Sequence, residues 1–191
     1  MSMKESVVVE LTPRPLERVE CEIAVAGFFC DERPLRGGAA RADWRLCGGI
    51  SQRIIDGDLS GESGEALLIG CGRALRAPRL LLLGLGARAD FDSLRASDET
   101  AAAISRCVAL GCPQIVLSPL GIAPDDVPRH VPALVAGLQS GYSEGDSPFH
   151  LQLCVPGSEV VGVARAFKDA CRAARADHIE LRVPESAPTP R

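Results

Sequence analysis

Residues 21–29, CEIAVAGFF, form a nearly continuous apolar run. Such a run predicts a strand buried on both faces, which is typical of a parallel sheet covered by helices. The next stretch, residues 30–43, reads CDERPLRGGAARAD, and its Pro34, Gly37 and Gly38 are typical loop residues. The sequence therefore predicts a buried strand followed by a loop.

Working outward from it, short apolar segments predict six further strands. They lie at residues 7–11, 65–69, 79–83, 114–118, 149–155 and 178–183. Helical spacing predicts four helices. The first lies at about 40–55, and the second begins after an N-cap at Ser97 and ends at Gly111. The third lies around 131–138, and the fourth extends from Val160 to Ala174.

This order of elements, β-β-α-β-β-α-β-α-β-α-β, places the protein in the α/β class. Alternating strands and helices in the second half predict right-handed crossovers and a mostly parallel sheet. The two places where strand follows strand predict at least one antiparallel strand, so the sheet is expected to be mixed.

The chain has 191 residues, of which 46% are apolar, and this length suits one domain with a full core. We predict a single domain over residues 1–183. The remaining residues, 184–191 (PESAPTPR), are expected to form a flexible tail because they carry no apolar side chain beyond alanine.

The formal net charge is −4, and acidic and basic residues are interleaved throughout the chain. A nucleic-acid partner needs a concentrated positive field, so none is expected. No uncharged run approaches the length of a membrane span, and the N-terminus has no secretion signal. We therefore expect a cytoplasmic protein with no membrane contact.

Eight cysteines are spread along the chain without a C-x2-C pair, and the three histidines are not at ligand spacing. We expect reduced thiols, several of them buried as small hydrophobic side chains, with no metal and no cofactor.

Residues 21–69 (CEIAVAGFFCDERPLRGGAARADWRLCGGISQRIIDGDLSGESGEALLI) resemble the N-terminal domain of the leucyl aminopeptidases, peptidase family M17. RLLLLGLG at 79–86 and AISRCVALGCPQIVLSP at 103–119 resemble its following elements. The resemblance implies a three-layer, macro-domain-like fold, with the mixed sheet flanked by helices.

In that family this domain precedes a catalytic domain with two metal ions. Its signature, close to N-T-D-A-E-G-R-L, is absent here, so we carry over no catalytic residue and expect no enzyme activity. The resemblance implies an interaction or regulatory role, through self-association or docking to a protein partner.

The macro-domain-like fold that the resemblance implies suggests an alternative function, that of a macro-type binding module. Macro domains bind ADP-ribose at loops that follow parallel strands. The residues implied here are Gly37, Gly38 and Ala39 in one loop, and Ser118, Leu120, Gly121 and Ile122 in another. Backbone N–H groups at a helix start can hold phosphates. The chain departs from the usual macro-domain loop in having Cys30-Asp31-Glu32, whose two acids would repel a diphosphate.

Three other features have less specific explanations. Cys30 ends a strand, but no histidine is predicted near it, so an inert thiol is favoured over a nucleophile. Trp44 is expected to be partly buried rather than an exposed anchor for a partner. Asp125 and Asp126 precede a helix, where capping is favoured over an acid pair.

Overall fold

The computed structural model describes residues 7–143 and 148–184. Its seven strands confirm the seven predicted ones. They are β1 (Val7–Thr12), β2 (Ile23–Phe28), β3 (Ala66–Gly70), β4 (Arg79–Gly84), β5 (Gln114–Leu117), β6 (Phe149–Cys154) and β7 (Ile179–Arg182).

All the described strands join one sheet in the order β3-β4-β2-β5-β6-β1-β7. Strand β3 runs antiparallel to β4, whereas the other neighbours are parallel. The predicted mixed, mostly parallel sheet is therefore confirmed. Strands β1 and β2 follow each other in the chain but lie apart in the sheet, with β5 and β6 between them.

Five helices cover the two faces of the sheet, which confirms the α/β class and the three layers. They are α1 (Gly37–Arg45), α2 (Gly49–Ile55), α3 (Ser93–Ala109), α4 (Val127–Gly141) and α5 (Val160–Ala174). Helices α1 and α2 pack on one hydrophobic cluster and helices α3, α4 and α5 on the other.

Strand β2 separates the two clusters. Ile23 and Val25 face the three-helix side, while Ala24 and Ala26 face α1. These alanines leave room for α1 to lie close to the sheet. At Gly38, a Cβ atom would stand 2.5 Å from Ser118 Cβ and 3.3 Å from Ala26 Cβ. The first turn of α1 is thereby pressed against the carboxyl ends of β2 and β5.

The prediction of one helix over 40–55 is wrong, because the helical backbone is interrupted at Cys47 and Gly48. Both residues have positive φ, 55° and 83°, and Gly48 can adopt this conformation without a Cβ penalty. The second helix, α2, is capped by a residue of α1, since the Asp43 carboxylate accepts hydrogen bonds from the N–H groups of Ile50 and Ser51 at 2.8 and 3.0 Å. Apolar spacing alone does not reveal such a break.

The predicted N-cap at Ser97 is also wrong. Helix α3 begins at Ser93, and the Asp92 side chain accepts the N–H of Arg95 at 2.9 Å. Leu94 in this first turn is exposed, so the buried stripe used for the prediction begins one turn inside the helix.

The domain boundary at residue 183 stays a prediction. Of the predicted tail 184–191, residues 185–191 lie outside the described part of the chain. Within the described part, no helix has the length and apolar character needed to cross a bilayer.

Helices α3 and α4 approach each other through a glycine, and this close contact yields a first prediction. A Cβ on Gly137 would lie 2.6 Å from the Ser97 carbonyl oxygen and 2.6 Å from Thr100 Cβ. We expect Gly137→Ala to lower the free energy of unfolding by about 1–3 kcal/mol because the helices must separate. Urea unfolding followed by circular dichroism measures the change.

Gly49→Ala is the matched control. The nearest atom to its added Cβ is Leu46 Cβ at 3.8 Å, which is an ordinary contact. Here alanine should raise stability by about 0.4–1 kcal/mol, since it restricts the unfolded chain. Equal effects of the two substitutions would contradict the packing described for α3 and α4.

Candidate functional site

A groove runs along the edge of the sheet where β1, β2, β5 and β6 end. It has two adjoining lobes, each of about 310 Å³. Both lobes are lined by Gly37 and Gly38 at the start of α1, and by Pro119, Ile122 and Pro124 in the loop after β5. The prediction of a loop at Gly37, Gly38 and Ala39 is wrong, because these residues form the first turn of α1. This turn meets the predicted loop after β5 across one groove.

The first lobe, which we call the apolar lobe, lies beside the ends of β1 and β6. Its walls are mainly aliphatic and proline side chains, with Arg14, Arg41 and Ser118 as polar members. The apolar members are Pro13, Pro15, Leu16, Ile122, Val127, Val155 and Pro156. A surface of this kind suits a flat or aliphatic group with few hydrogen bonds.

The second lobe, which we call the charged lobe, contains Glu32, Arg36 and Arg88 beside Phe28 and Phe29. Glu32 Oε1 lies 3.2 Å from Arg36 Nε and 3.6 Å from Arg88 Nη1. The Arg88 guanidinium also lies over the Phe29 ring, 5.1 Å from its centroid. One carboxylate therefore stands between two guanidinium groups.

Asp31 and Glu32 were expected to repel a diphosphate, and the geometry weakens that objection. The Asp31 carboxylate accepts the backbone N–H of Arg88 at 3.0 Å, and Glu32 is paired with two arginines. Glu32 is offset by two guanidinium groups, and the Asp31 carboxylate is held at the backbone of Arg88, so these four side chains carry no net negative charge.

Unpaired backbone donors lie where the two lobes meet. The N-cap position of α1 is Arg36, whose side chain makes no capping hydrogen bond. The first backbone bond of the helix runs from Ala40 N to Arg36 O, so the N–H groups of Gly37, Gly38 and Ala39 have no partner among the described residues. Free N–H groups at a helix start attract anions.

The facing loop is held by aromatic packing. Gly121 has φ +64°, and a Cβ there would stand 2.6 Å from Phe29 Cζ and 3.0 Å from Phe91 Cε1. The rings of Phe29 and Phe91 pack edge to face with centroids 5.1 Å apart. The glycine is thus required both by its backbone conformation and by the rings around it.

The structure brings most of the predicted ligand residues together. Five of them, Gly37, Gly38, Ser118, Gly121 and Ile122, line one or both lobes. The other two, Ala39 and Leu120, are instead buried in the two hydrophobic clusters, and Ala39 is fully buried, its backbone included.

Sequence reasoning missed the wall of the apolar lobe formed by Pro13–Leu16 and Cys154–Pro156. These segments follow β1 and β6, which are parallel neighbours in the sheet. The sequence predicts that a strand ends at each of these segments. It does not predict the strand order that brings both segments next to the end of β5.

The surroundings of Cys30 disfavour a reactive thiolate. Loss of hydration raises the pKa of its thiol, and the nearby carboxylates of Glu62 and Asp31 raise it further. Cys154, in the wall of the apolar lobe, has a pKa raised to about 12 by burial. Both thiols therefore stay protonated at neutral pH. Among the described residues, no three His, Cys, Asp or Glu side chains cluster as metal ligands would.

One smaller prediction is wrong, since Trp44 is 83% exposed rather than partly buried. Asp125 and Asp126 precede α4 as expected, and Asp126 is its N-cap residue, although its side chain makes no capping hydrogen bond. The Asp126 carboxylate lies 3.4 Å from the Arg129 guanidinium.

The three layers, the mixed sheet and the groove beyond its carboxyl ends define a macro-domain-like α/β protein. A structure of the Oceanobacillus iheyensis macrodomain with ADP has a TM-score of 0.62 and 5% identity, and the match covers 87% of this chain and 90% of that one. A mutant of tomato leucine aminopeptidase has a TM-score of 0.67 and 15% identity, covering 89% of this chain and 36% of the tomato protein.

Sequence comparison makes the assignment more specific. The N-terminal domain of the cytosol aminopeptidase family matches residues 25–147, so the chain belongs to this family. A probable cytosol aminopeptidase of Nitrosococcus oceani is 29% identical over 110 residues, which are 58% of this chain and 22% of the relative. The matched region thus corresponds to the N-terminal domain and spans about a fifth of that relative.

Proposed function

We propose that this domain is a non-catalytic binding module, acting in the cytoplasm, that holds ADP-ribose or a related nucleoside diphosphate in the groove. The observation that carries the proposal is the division of the groove into an apolar lobe and a charged lobe, with free N–H groups at their junction. A nucleoside diphosphate has the same division, since a flat base and sugar precede two anionic phosphates.

Each part of the ligand has a place in the groove. The base would lie against Ile122, Val127 and Val155 in the apolar lobe. The phosphates would accept the N–H groups of Gly37 and Gly38, because such donors and the helix dipole both favour anions. Arg36 and Arg88 would add charge-assisted hydrogen bonds from the charged lobe.

The likeness to the Oceanobacillus iheyensis macrodomain with ADP supports this choice of ligand, since that match extends over nearly all of both chains. Binding without catalysis is proposed because the matched family region is the N-terminal domain. In addition, the Cys154 thiol in the groove wall is held protonated by its raised pKa.

Isothermal titration calorimetry with ADP-ribose tests the proposal. Arg36→Ala removes a cation of the charged lobe and leaves Glu32 with one partner fewer. We expect affinity to fall by about 10- to 100-fold, as for the loss of a hydrogen bond to a charged group.

Arg53→Ala is the control, because Arg53 also pairs with a carboxylate, that of Asp58 at 3.9 Å, but does not line the groove. Its affinity should equal that of the wild type. Absence of measurable heat and of any thermal stabilisation at millimolar ADP-ribose would contradict the proposal, since a binder gains about 2.7 kcal/mol at a hundredfold excess over Kd.

A second candidate function, self-association, is favoured by the free edge of β3. This strand ends the sheet order, and its five residues, ALLIG, carry no charge. Leu68 at its centre is 43% exposed. An uncharged apolar edge strand is a template for pairing with another strand, here with a second copy of the chain.

Analytical ultracentrifugation tests this second function. The wild type should form dimers as concentration rises, and Leu68→Lys should remain monomeric because a charge at the edge opposes pairing. Leu94→Lys, at an exposed leucine of α3, is the control and should dimerise like the wild type. A wild type that stays monomeric at high concentration would refute self-association.

A further inference from the structure

A second pocket lies behind the segment Pro13–Pro15, on the face of the sheet covered by α1. It has a volume of about 800 Å³. Five arginines line it, together with Trp44 and Glu17, and we call it the arginine pocket. The arginines are Arg14, Arg18, Arg45, Arg73 and Arg76.

Three separate segments form this pocket, and hydrogen bonds hold them together. The Arg45 Nε at the end of α1 donates to the Ala74 carbonyl at 2.8 Å. The Arg76 backbone N–H donates to the Glu17 carbonyl at 3.2 Å. Leu16 and Leu75, which adjoin these contacts, are buried in the same hydrophobic cluster. The backbone of the pocket is therefore built into the fold.

The arginines outnumber the acids near them. Glu17 is shared with Arg41, whose Nη1 lies 3.6 Å from its carboxylate, and Glu20 lies 3.5 Å from Arg76 Nη1. The guanidinium groups of Arg14, Arg18 and Arg73 make no ion pair or hydrogen bond within the described residues. This positive cluster stands in a chain whose net charge is −4.

Trp44 adds a flat ring to the pocket. It is the only tryptophan of the chain and is 83% exposed, so burial of its ring by a ligand would be favourable. Tryptophan stacks on planar rings, while unpaired arginines are suited to bidentate contacts with phosphate.

We propose that the arginine pocket binds a small polyanion that combines phosphate groups with a planar ring, such as a nucleoside triphosphate. The phosphates contact the free guanidinium groups of Arg18 and Arg73, and the ring stacks on Trp44. The concave shape and a volume within the usual range of small-molecule sites favour such a ligand over a macromolecule. This site is separate from the groove, which it meets only along Pro13–Pro15.

ATP is the probe, with calorimetry for affinity and Trp44 fluorescence for location. Because Trp44 is the only tryptophan, a change in its emission, corrected for absorption by the nucleotide, reports on this pocket. We expect ATP to bind and to quench Trp44, tripolyphosphate to bind more weakly, and adenosine not to bind. The comparison separates the contributions of the phosphates and the ring.

The double variant Arg18→Ala/Arg73→Ala should weaken ATP binding at least tenfold. Its fold should persist, since neither side chain has a partner to lose. The control Arg165→Ala/Arg172→Ala removes the same charge from exposed positions of α5 and should leave the affinity unchanged. Arg36→Ala, in the groove, should leave the Trp44 response intact, so failure of either site can be told from failure of the other.

Three results would overturn the proposal. The first is an unchanged Trp44 emission at millimolar ATP. The second is an equal loss of affinity in the two double variants, which would indicate only a general charge effect. The third is binding of duplex DNA or hexaglutamate that is lost in the Arg18→Ala/Arg73→Ala variant while ATP itself does not bind, which would make the arginines a macromolecular surface.

Discussion

The close approach of α1 to the sheet is the contact on which the groove depends. Gly38 lies against Ser118 and Ala26 with no room for a Cβ atom, and the small side chains Ala39 and Ala42 are fully buried beneath the helix. A larger residue at Gly38 would lift the first turn of α1 from the end of β5. The free N–H groups of that turn would then no longer face the loop after β5.

The same helix separates two groups of arginines. Its start borders the charged lobe with Arg36 and Arg88, and its last turn presents Trp44 and Arg45 to the arginine pocket. Along the sequence, acidic and basic residues are interleaved, which suggested that no local positive field would form. Folding changes this, because Arg18, Arg45 and Arg73 come from distant segments. An electrostatic surface therefore depends on the tertiary arrangement even when the net charge is −4.

The strands and most helices could be predicted because their burial leaves a periodic trace, as in the apolar run that contains β2. The break between α1 and α2 could not, since it depends on a cap from Asp43 seven residues away from Ile50. For the groove, Gly37, Gly38 and Gly121 were predicted through a family resemblance. Pro13 and Val155 were missed because they join the groove only through the pairing of β1 with β6. The burial of Trp44 was predicted wrongly because apolar spacing does not show which side of a helix lacks a neighbour.

The central claim is that the groove, with the first turn of α1 at its junction, binds an anion joined to a nucleoside. An amide NMR titration of the ¹⁵N-labelled protein with ADP-ribose tests it most directly, because it observes the proposed donors themselves. The account predicts that the amide signals of Gly37 and Gly38 shift most and saturate together with those of Gly121 and Ile122. Saturating shifts elsewhere with these amides unmoved, or no shifts at millimolar ADP-ribose, would contradict it.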